Sequence, residues 1–198
     1  QTSSPSPIGV GLRRYKDLNG DGKIDATNDR EILGDANPKF FGGMTNTFAY
    51  RGFELNVFLQ YSYGNKIFNY NAMELESPTG GQNVYQDLVN RWTPTNPSNE
   101  YQKATTNRNI VSDRFIEDGS FLKLKTVSLS YSFPKLNWKH LGGLRLYVTG
   151  QNLLTWTKYR GYDPEVSYRG ASTLEAGEDF GGYPQARTFM FGIKLDIK

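Results

Sequence analysis

The sequence predicts an all-β fold built from long antiparallel strands of the kind that wall a transmembrane barrel. Several stretches alternate apolar and polar side chains with a period of two, which puts one set on each face of a strand. These stretches are about the 9–11 residues a tilted strand needs to cross a bilayer, where soluble strands run to roughly 5–6. Their connections alternate between short turns and long loops, and the polar face of the longest hairpin carries hydroxyls, amides and one Arg rather than a spread of Lys and Glu.

Residues 1–16, which open QTSSPSPIGVG, form a Ser/Pro-rich lead-in expected to be a linker or irregular. Next comes DLNGDGKID. With Asp17 as position 1, oxygen ligands fall at positions 1, 3, 5 and 9 as Asp17, Asn19, Asp21 and Asp25. Gly22 occupies position 6, where such a loop turns sharply, Lys23 offers its carbonyl at position 7, and Ile24 is the apolar residue that ties the loop down. This is Ca²⁺-loop spacing, and hard oxygen ligands on a short loop suit that ion. Position 12 is Asn28 rather than Glu, with Asp29 one residue later, so the closing ligand is Asn28 or, if the loop carries one extra residue, Asp29. A metal-free Asx/Gly turn has the same composition. Nothing flanks the loop as an EF-hand helix pair would, so a structural Ca²⁺ clamp is expected rather than a sensor.

PKFFGGMTNTFAYRGFELNVFLQYSYGN predicts a hairpin with strands near 41–50 and 53–63 around an Arg51-Gly52 turn. On the return strand Leu55, Val57, Leu59, Tyr61 and Tyr63 share the apolar face, and Glu54, Asn56, Gln60 and Ser62 the wet one. Phe58 is the exception, on the wet side. The tyrosine pair at the far end suits a membrane-interface girdle. Residues 64–117 are the longest irregular segment, with a short helix expected near Val84 to Trp92. A loop of that length is usually functional or disordered. Tyr70, Tyr85, Trp92 and Tyr101 are candidates to stack on sugar rings, although such residues more often pack a loop against itself.

The longest hairpin covers 121–133 and 144–156. Val127, Leu129, Tyr131 and Phe133 face one way, and Thr126, Ser128, Ser130 and Ser132 the other. Leu122 and Leu124 are out of phase with them, so a β-bulge is expected near Lys125-Thr126. Pro134, which has no N–H to donate, ends the strand. On the return, Leu144, Leu146, Val148, Leu154 and Trp156 oppose Arg145, Tyr147, Thr149, Gln151 and Thr155. A turn-rich loop, 157–186, leads to the last strand near 187–197. There Phe189, Phe191, Ile193, Leu195 and Ile197 face away from Thr188, Met190, Gly192, Lys194 and Asp196.

The two short turns fall on one side of a membrane, and the long segments 17–38, 64–117 and 157–186 on the other, the polarity of outer-membrane barrels. Hydrophobic content is 37% but aromatics reach 14%, led by 13 Tyr and 12 Phe. That balance fits a barrel with a polar lumen and aromatic girdles. It also fits a soluble, calcium-stabilised carbohydrate-binding β-module, which stands as the alternative. A net charge of +3, spread along the chain, gives no basic patch for nucleic acid. With no cysteine there are no disulfides or thiolate metal sites. No run of 18 apolar residues offers a membrane-spanning helix, and no signal peptide opens the chain.

Catalysis finds little support. His140, the single histidine, is expected to be a solvated turn residue beside Lys139 and Trp138. Glu117 and Asp118 are adjacent, so on a strand they point to opposite faces and do not form a glycosidase pair. No nucleophile elbow, P-loop or zinc spacing is present.

At YKDLNGDGKID, NPKFFGGMTNTFAYRGFELNVFLQYSYGNKIFN, RWTPTNPS, RFIEDGSFLKLKTVSLSYSFP, LRLYVTGQNLLTWTKYRGYDPE and YPQARTFMFGIKLDI the chain resembles the C-terminal part of the SusC/RagA family of TonB-dependent outer-membrane transporters. The resemblance covers roughly residues 12–197, with the motifs in the family's order. It implies that these are the C-terminal strands of a large antiparallel transmembrane β-barrel with long extracellular loops, in the outer membrane of a Gram-negative bacterium. It implies TonB-driven import of glycan oligosaccharides or peptides, with a SusD-like surface lipoprotein over the loops, and no enzyme. The expected partners are that lipoprotein, the TonB complex reached through an N-terminal part, the remainder of the barrel and its plug, and outer-membrane lipid. The plug and most of the family's strands are absent here. Lys198 stands where such barrels often end in an aromatic, while Gly192, Leu195 and Ile197 fit an assembly signal, so a near-complete C-terminus is expected. The run after Asp25 is one residue longer than the family's usual one.

Overall fold

The computed structural model describes residues 9–77, 83–106, 108–134, 141–165, 168 and 176–197. The strands, in chain order, are β1 (Phe40–Tyr50), β2 (Phe53–Tyr63), β3 (Lys66–Asn69), β4 (Ile116–Asp118), β5 (Phe121–Phe133), β6 (Leu141–Thr157), β7 (Glu178–Asp179) and β8 (Thr188–Ile197). Two compact units emerge, one formed by Gln1–Gly34 with Tyr70–Phe115, the other by Asp35–Asn69 with Ile116–Lys198.

The second unit is built on a five-stranded antiparallel sheet in the order β1-β2-β5-β6-β8, so each long strand pairs with the next long strand of the chain. The β1–β2 connection is a two-residue hairpin in which Arg51 and Gly52 both take positive φ, 46° and 88°. That conformation matches the twist of the flanking strands. Gly52 has a second reason to be glycine: a Cβ there would stand 2.7 Å from the carbonyl oxygen of Ser132, whose own amide donates to the Gly52 carbonyl.

Register fixes the faces. Leu55 opposes Leu129, Val57 opposes Val127, and Leu59 opposes Leu124. On the far side of β5, Val148 opposes Leu129 and Leu146 opposes Tyr131. Phe191 opposes Val148, and Ile193 opposes Leu146. One face of β2, β5, β6 and β8 is therefore apolar, and β1 extends it with Phe40, Met44, Phe48 and Tyr50, interrupted by Asn46 opposite Val57. The expected bulge is present: Phe58 pairs with Thr126 and Leu59 with Leu124, which leaves Lys125 as an extra residue against β2. Pairing with β6 shifts at the same place, between Leu124 and Thr126. There Asn152 takes a positive φ of 53°, a conformation asparagine tolerates better than most residues. β6 begins at Leu141, earlier than the alternation from Leu144 suggested.

Phe58, the apolar residue on the wet face, packs diagonally over Gly43 on β1, where a Cβ would come within 2.6 Å of its ring. The Tyr147 ring covers its partner Gly192 on β8 in the same way. An aromatic laid over a strand glycine fills the gap that the missing side chain leaves.

This unit is turned inside out relative to a soluble domain. Phe191 on the apolar face is 81% exposed, whereas Lys123 on the wet face is 2% exposed. A small second sheet, β4-β3-β7, sits beside the long strands, with β3 antiparallel to β4 and parallel to β7.

The first unit holds most of the segment expected to be irregular. It contains a short helix, α1 (Tyr70–Leu75), which the sequence did not announce. The helix expected over Val84 to Trp92 is a 3-10 turn restricted to Gln86–Asn90. Ala72, Met73, Leu88, Tyr101 and Phe115 are buried. Glu76, buried, takes ion pairs from Arg13 at 3.1 Å and Arg114 at 2.6 Å. Arg13 also donates to Asn109, which donates to the Met73 carbonyl, so this part of the lead-in is anchored.

Candidate functional site

Three surfaces carry the chemistry: the apolar face of the long sheet, its wet face, and the oxygen-rich loop after Asp17.

The apolar face is bounded by aromatic residues at both ends. At one end Phe40 stacks on Tyr63 at 4.8 Å and meets Tyr61 edge-on at 6.2 Å, and Trp156 opposes Leu122 nearby. At the other end Phe53 lies 4.5 Å from Tyr131, which meets Phe133 at 4.7 Å, while the Arg51 guanidinium lies over the Tyr50 ring. Between the two rows the face carries Met44, Leu55, Val57, Leu59, Leu124, Val127, Leu129, Leu146, Val148, Phe191 and Ile193, with Asn46 as a polar exception on β1. An 11-residue strand such as β2 spans about 36 Å at ~3.3 Å per residue, or about 28 Å along the normal when tilted by ~40°. That is close to the apolar band of about 25 Å on outer-membrane barrels. Aromatic rings at both edges of such a band sit where lipid headgroups meet hydrocarbon.

The wet face is a ladder of polar contacts. Arg145 donates to Glu54 at 2.9 Å and to Ser130 at 2.7 Å, Thr149 to Ser128 at 2.9 Å, and Thr47 to Asn56 at 2.6 Å. Its most buried part is ionic. Lys123 Nζ lies 2.5 Å from Asp163 Oδ1 and 2.6 Å from Glu165 Oε2, and Lys125 Nζ lies 2.6 Å from the same Glu165 oxygen. Gln60 donates to the other Glu165 oxygen at 2.9 Å. Burial pushes the Asp163 carboxyl up, but hydrogen bonds from Lys123 and from the Glu165 and Gln185 amides, with the Lys123 charge, outweigh it and hold the group below its usual range. Burial acts on Glu165 likewise and is outweighed by Lys123 and Lys125. Removing one partner of a buried pair strands the other, typically at about 3–5 kcal/mol. Sequence reading missed this cluster. Its signal was Lys123 and Lys125 in an otherwise hydroxyl-bearing strand, but the distance in sequence to Asp163 and Glu165 hid the pairing.

In the oxygen-rich loop the carboxylates turn onto their own backbone. Asp17 accepts from the Gly20 amide at 2.6 Å and the Gly22 amide at 2.8 Å, and Asp21 from the Lys23 amide at 2.8 Å. The Asn19 side-chain oxygen accepts from the Asp21 amide, and its amide group donates to Asp21. Asp25 accepts from the Thr27 and Asn28 amides, the Asn28 bond first and the Thr27 bond next holding its carboxyl below the ordinary value. Asp29 closes the loop, accepting at 2.7 Å from both the Leu18 and the Asp25 amides. Among the described residues no three His, Cys, Asp or Glu side chains converge as a metal cluster. The donor set is nonetheless all oxygen, and a carboxylate oxygen that accepts one N–H keeps a second lone pair. Those lone pairs, with Asn19 and the Lys23 carbonyl, suit a hard cation such as Ca²⁺.

The remaining candidates separate. Glu117 accepts from Asn69 and Arg160, and Asp118 from Ser120. The two neighbouring carboxylates thus serve different partners. His140 lies outside the described residues, as do Lys139 and Trp138. Tyr101 is buried under the Arg114 guanidinium, and Trp92 packs on Gly11, so both serve their own unit.

No protein-family model matches the chain. Among curated proteins it is 41% identical over 187 residues to TonB-dependent receptor P3 of Formosa agariphila, a match covering 91% of this chain and 18% of that receptor. It is 29% identical to TonB-dependent receptor SusC of Bacteroides thetaiotaomicron over 92% of this chain and 17% of SusC. Among solved structures it superposes on the RagAB peptide importer in its open-open state with a TM-score of 0.76 and 26% identity. That match covers 91% of this chain and 20% of the importer chain. The chain therefore spans less than a quarter of the length of the relatives it matches. With its long antiparallel staves and inverted burial, the chain belongs to the SusC/RagA family of TonB-dependent outer-membrane transporters.

Proposed function

We propose that this chain forms adjacent staves near the C-terminal end of an outer-membrane importer of a Gram-negative bacterium. In this reading the importer takes up glycan oligosaccharides or peptides, works with a SusD-like surface lipoprotein, and is driven through TonB by the N-terminal part of the receptor. The observation that carries it is the exposed apolar face with an aromatic row at each edge. A soluble carbohydrate-binding module would have to hide that face, because exposed apolar patches on soluble monomers rarely exceed a few hundred Å². β1 and β8 each pair on one side only among the described residues, and unpaired backbone is not tolerated in hydrocarbon. In this reading further staves close the wall and a plug fills its lumen. The loop from Asp17 to Asp29 is proposed to hold one structural Ca²⁺ through Asp17, Asn19, Asp21, the Lys23 carbonyl, Asp25 and Asp29.

The test is to tag the full-length receptor in its source bacterium, delete it, and purify it. The reading requires detergent-dependent recovery from the outer membrane, co-purification of a surface lipoprotein, and loss of growth on one class of oligosaccharide or peptide in the deletion strain. Recovery as a detergent-free secreted or periplasmic protein would overturn it.

A further inference from the structure

The loop that leaves β6 does not stand free of the sheet. Tyr159 donates from its hydroxyl to buried Asp179, whose other oxygen accepts from the Gly182 amide at 3.3 Å. Arg160 binds Glu117 through its backbone amide at 2.9 Å and its guanidinium at 2.8 Å and 3.0 Å. Asp163 then meets Lys123 on β5 and accepts from the Gln185 amide at 3.2 Å, which ties the return of the loop to its departure. Glu165 reaches further, to Lys123 and Lys125 on β5 and Gln60 on β2. The segment thus leaves β6 and crosses β5 to β2 over the wet face, while Tyr162 within it is 84% exposed.

We propose that residues 159–165 are a fixed strap across the wet face, latched by Lys123, and not a loop that swings when the receptor works. Two lysines oppose two carboxylates, so the latch is balanced and has no charge left to exchange with a ligand. Lys123 is buried beneath the strap, and lifting the strap would strand its ammonium without a carboxylate partner, over the Phe121 ring. Lys125 is brought to the same carboxylate by the bulge, which adds a second hold. The strap narrows the space in front of β2 and β5 and holds Tyr162 at a set position. This inference rests on the local geometry and holds whether or not the receptor imports the proposed substrates.

Hydrogen–deuterium exchange on the full-length receptor in detergent micelles tests it. In the parent protein the peptides carrying the Glu165 and Gln185 amides exchange slowly, because both amides donate to Asp163. Lys123→Met raises their exchange at least tenfold and leaves β5 and β6 unchanged, and Lys123→Arg restores most of the protection. Arg145→Met, on the same face but away from the strap, leaves it unaltered. If Lys123→Met fails to assemble, Glu165→Gln replaces it, with several-fold faster exchange in the same two peptides. Unchanged exchange in an assembled Lys123→Met or Glu165→Gln receptor, or exchange in the parent as fast as in an unstructured peptide, would overturn the strap.

Discussion

Lys125 and Thr126 are neighbours on β5, and both face the wet side: Thr126 pairs with Phe58, and Lys125 reaches Glu165 at 2.6 Å. Strict alternation forbids this, and the bulge permits it. The same irregularity returns Leu122 and Leu124 to the face of Val127 and Leu129. Without it, Leu124 and Thr126 would share a face.

A charge scan reads that difference directly. Leu124→Arg puts a charge into the apolar band and is expected to cost about 2–4 kcal/mol near the bilayer midplane, less toward its edges. Thr126→Arg faces the wet side and is expected to cost under about 1 kcal/mol. Denaturant titration of the full-length barrel refolded in lipid vesicles measures both. Equal penalties, or the reverse order, would show that the bulge does not set the faces.

Gly192 and Tyr147 form a size-matched pair across β8 and β6. A Cβ at position 192 would overlap the Tyr147 ring. Gly192→Val is expected to destabilise the barrel by about 1–3 kcal/mol, the usual range for overpacking. Adding Tyr147→Ala to that variant should recover part of the loss. A double-mutant cycle with no coupling would contradict the pairing.

The latch has a defined pH response. Asp163 and Glu165 titrate below their ordinary values in the folded chain, so their contribution to stability is fully present above the unfolded carboxylate range, about pH 4. It is lost as the pH falls through the lower folded values. A spin label at Tyr162→Cys is therefore expected to keep one mobility from pH 8 to pH 5 and to loosen only under stronger acid. Loosening near neutrality would contradict the assignment.

The proposed Ca²⁺ loop gives a removal experiment. In the full-length receptor, EGTA is expected to speed proteolysis within residues 17–29, and added Ca²⁺ to reverse it. Asp17→Asn with Asp21→Asn should abolish the Ca²⁺ response. Identical cleavage with and without Ca²⁺ would leave a metal-free turn, held by the Asx hydrogen bonds alone.

The sheet was legible because each of its faces obeys a local rule. Alternation in β2, β5 and β8 marks the apolar side, Pro134 ends β5, Arg51-Gly52 marks the hairpin, and the phase slip at Leu124 marks the bulge. What was not legible depends on residues distant in sequence. The pairing of β3 with both β4 and β7 leaves no periodic signature in strands of two to four residues. The Glu76 hub joins Arg13 to Arg114, and the strap joins Lys123 to Glu165, contacts that exist only once the chain has folded. The aromatic loop residues Trp92 and Tyr101 follow the commoner of the two readings open to them: packing uses both inside their own unit.

In the proposed barrel the apolar face of β5 meets lipid. Single cysteines placed one at a time from Leu122 to Phe133 in a cysteine-free full-length receptor, spin-labelled in lipid bilayers, would report accessibility to oxygen and to a water-soluble nickel chelate. High oxygen accessibility is expected at positions 122, 124, 127, 129 and 131, low values at 123, 126, 128 and 130, and a break in the alternation at 125. Uniform accessibility along the strand, or nickel access at 127 and 129 matching that at 128, would contradict it.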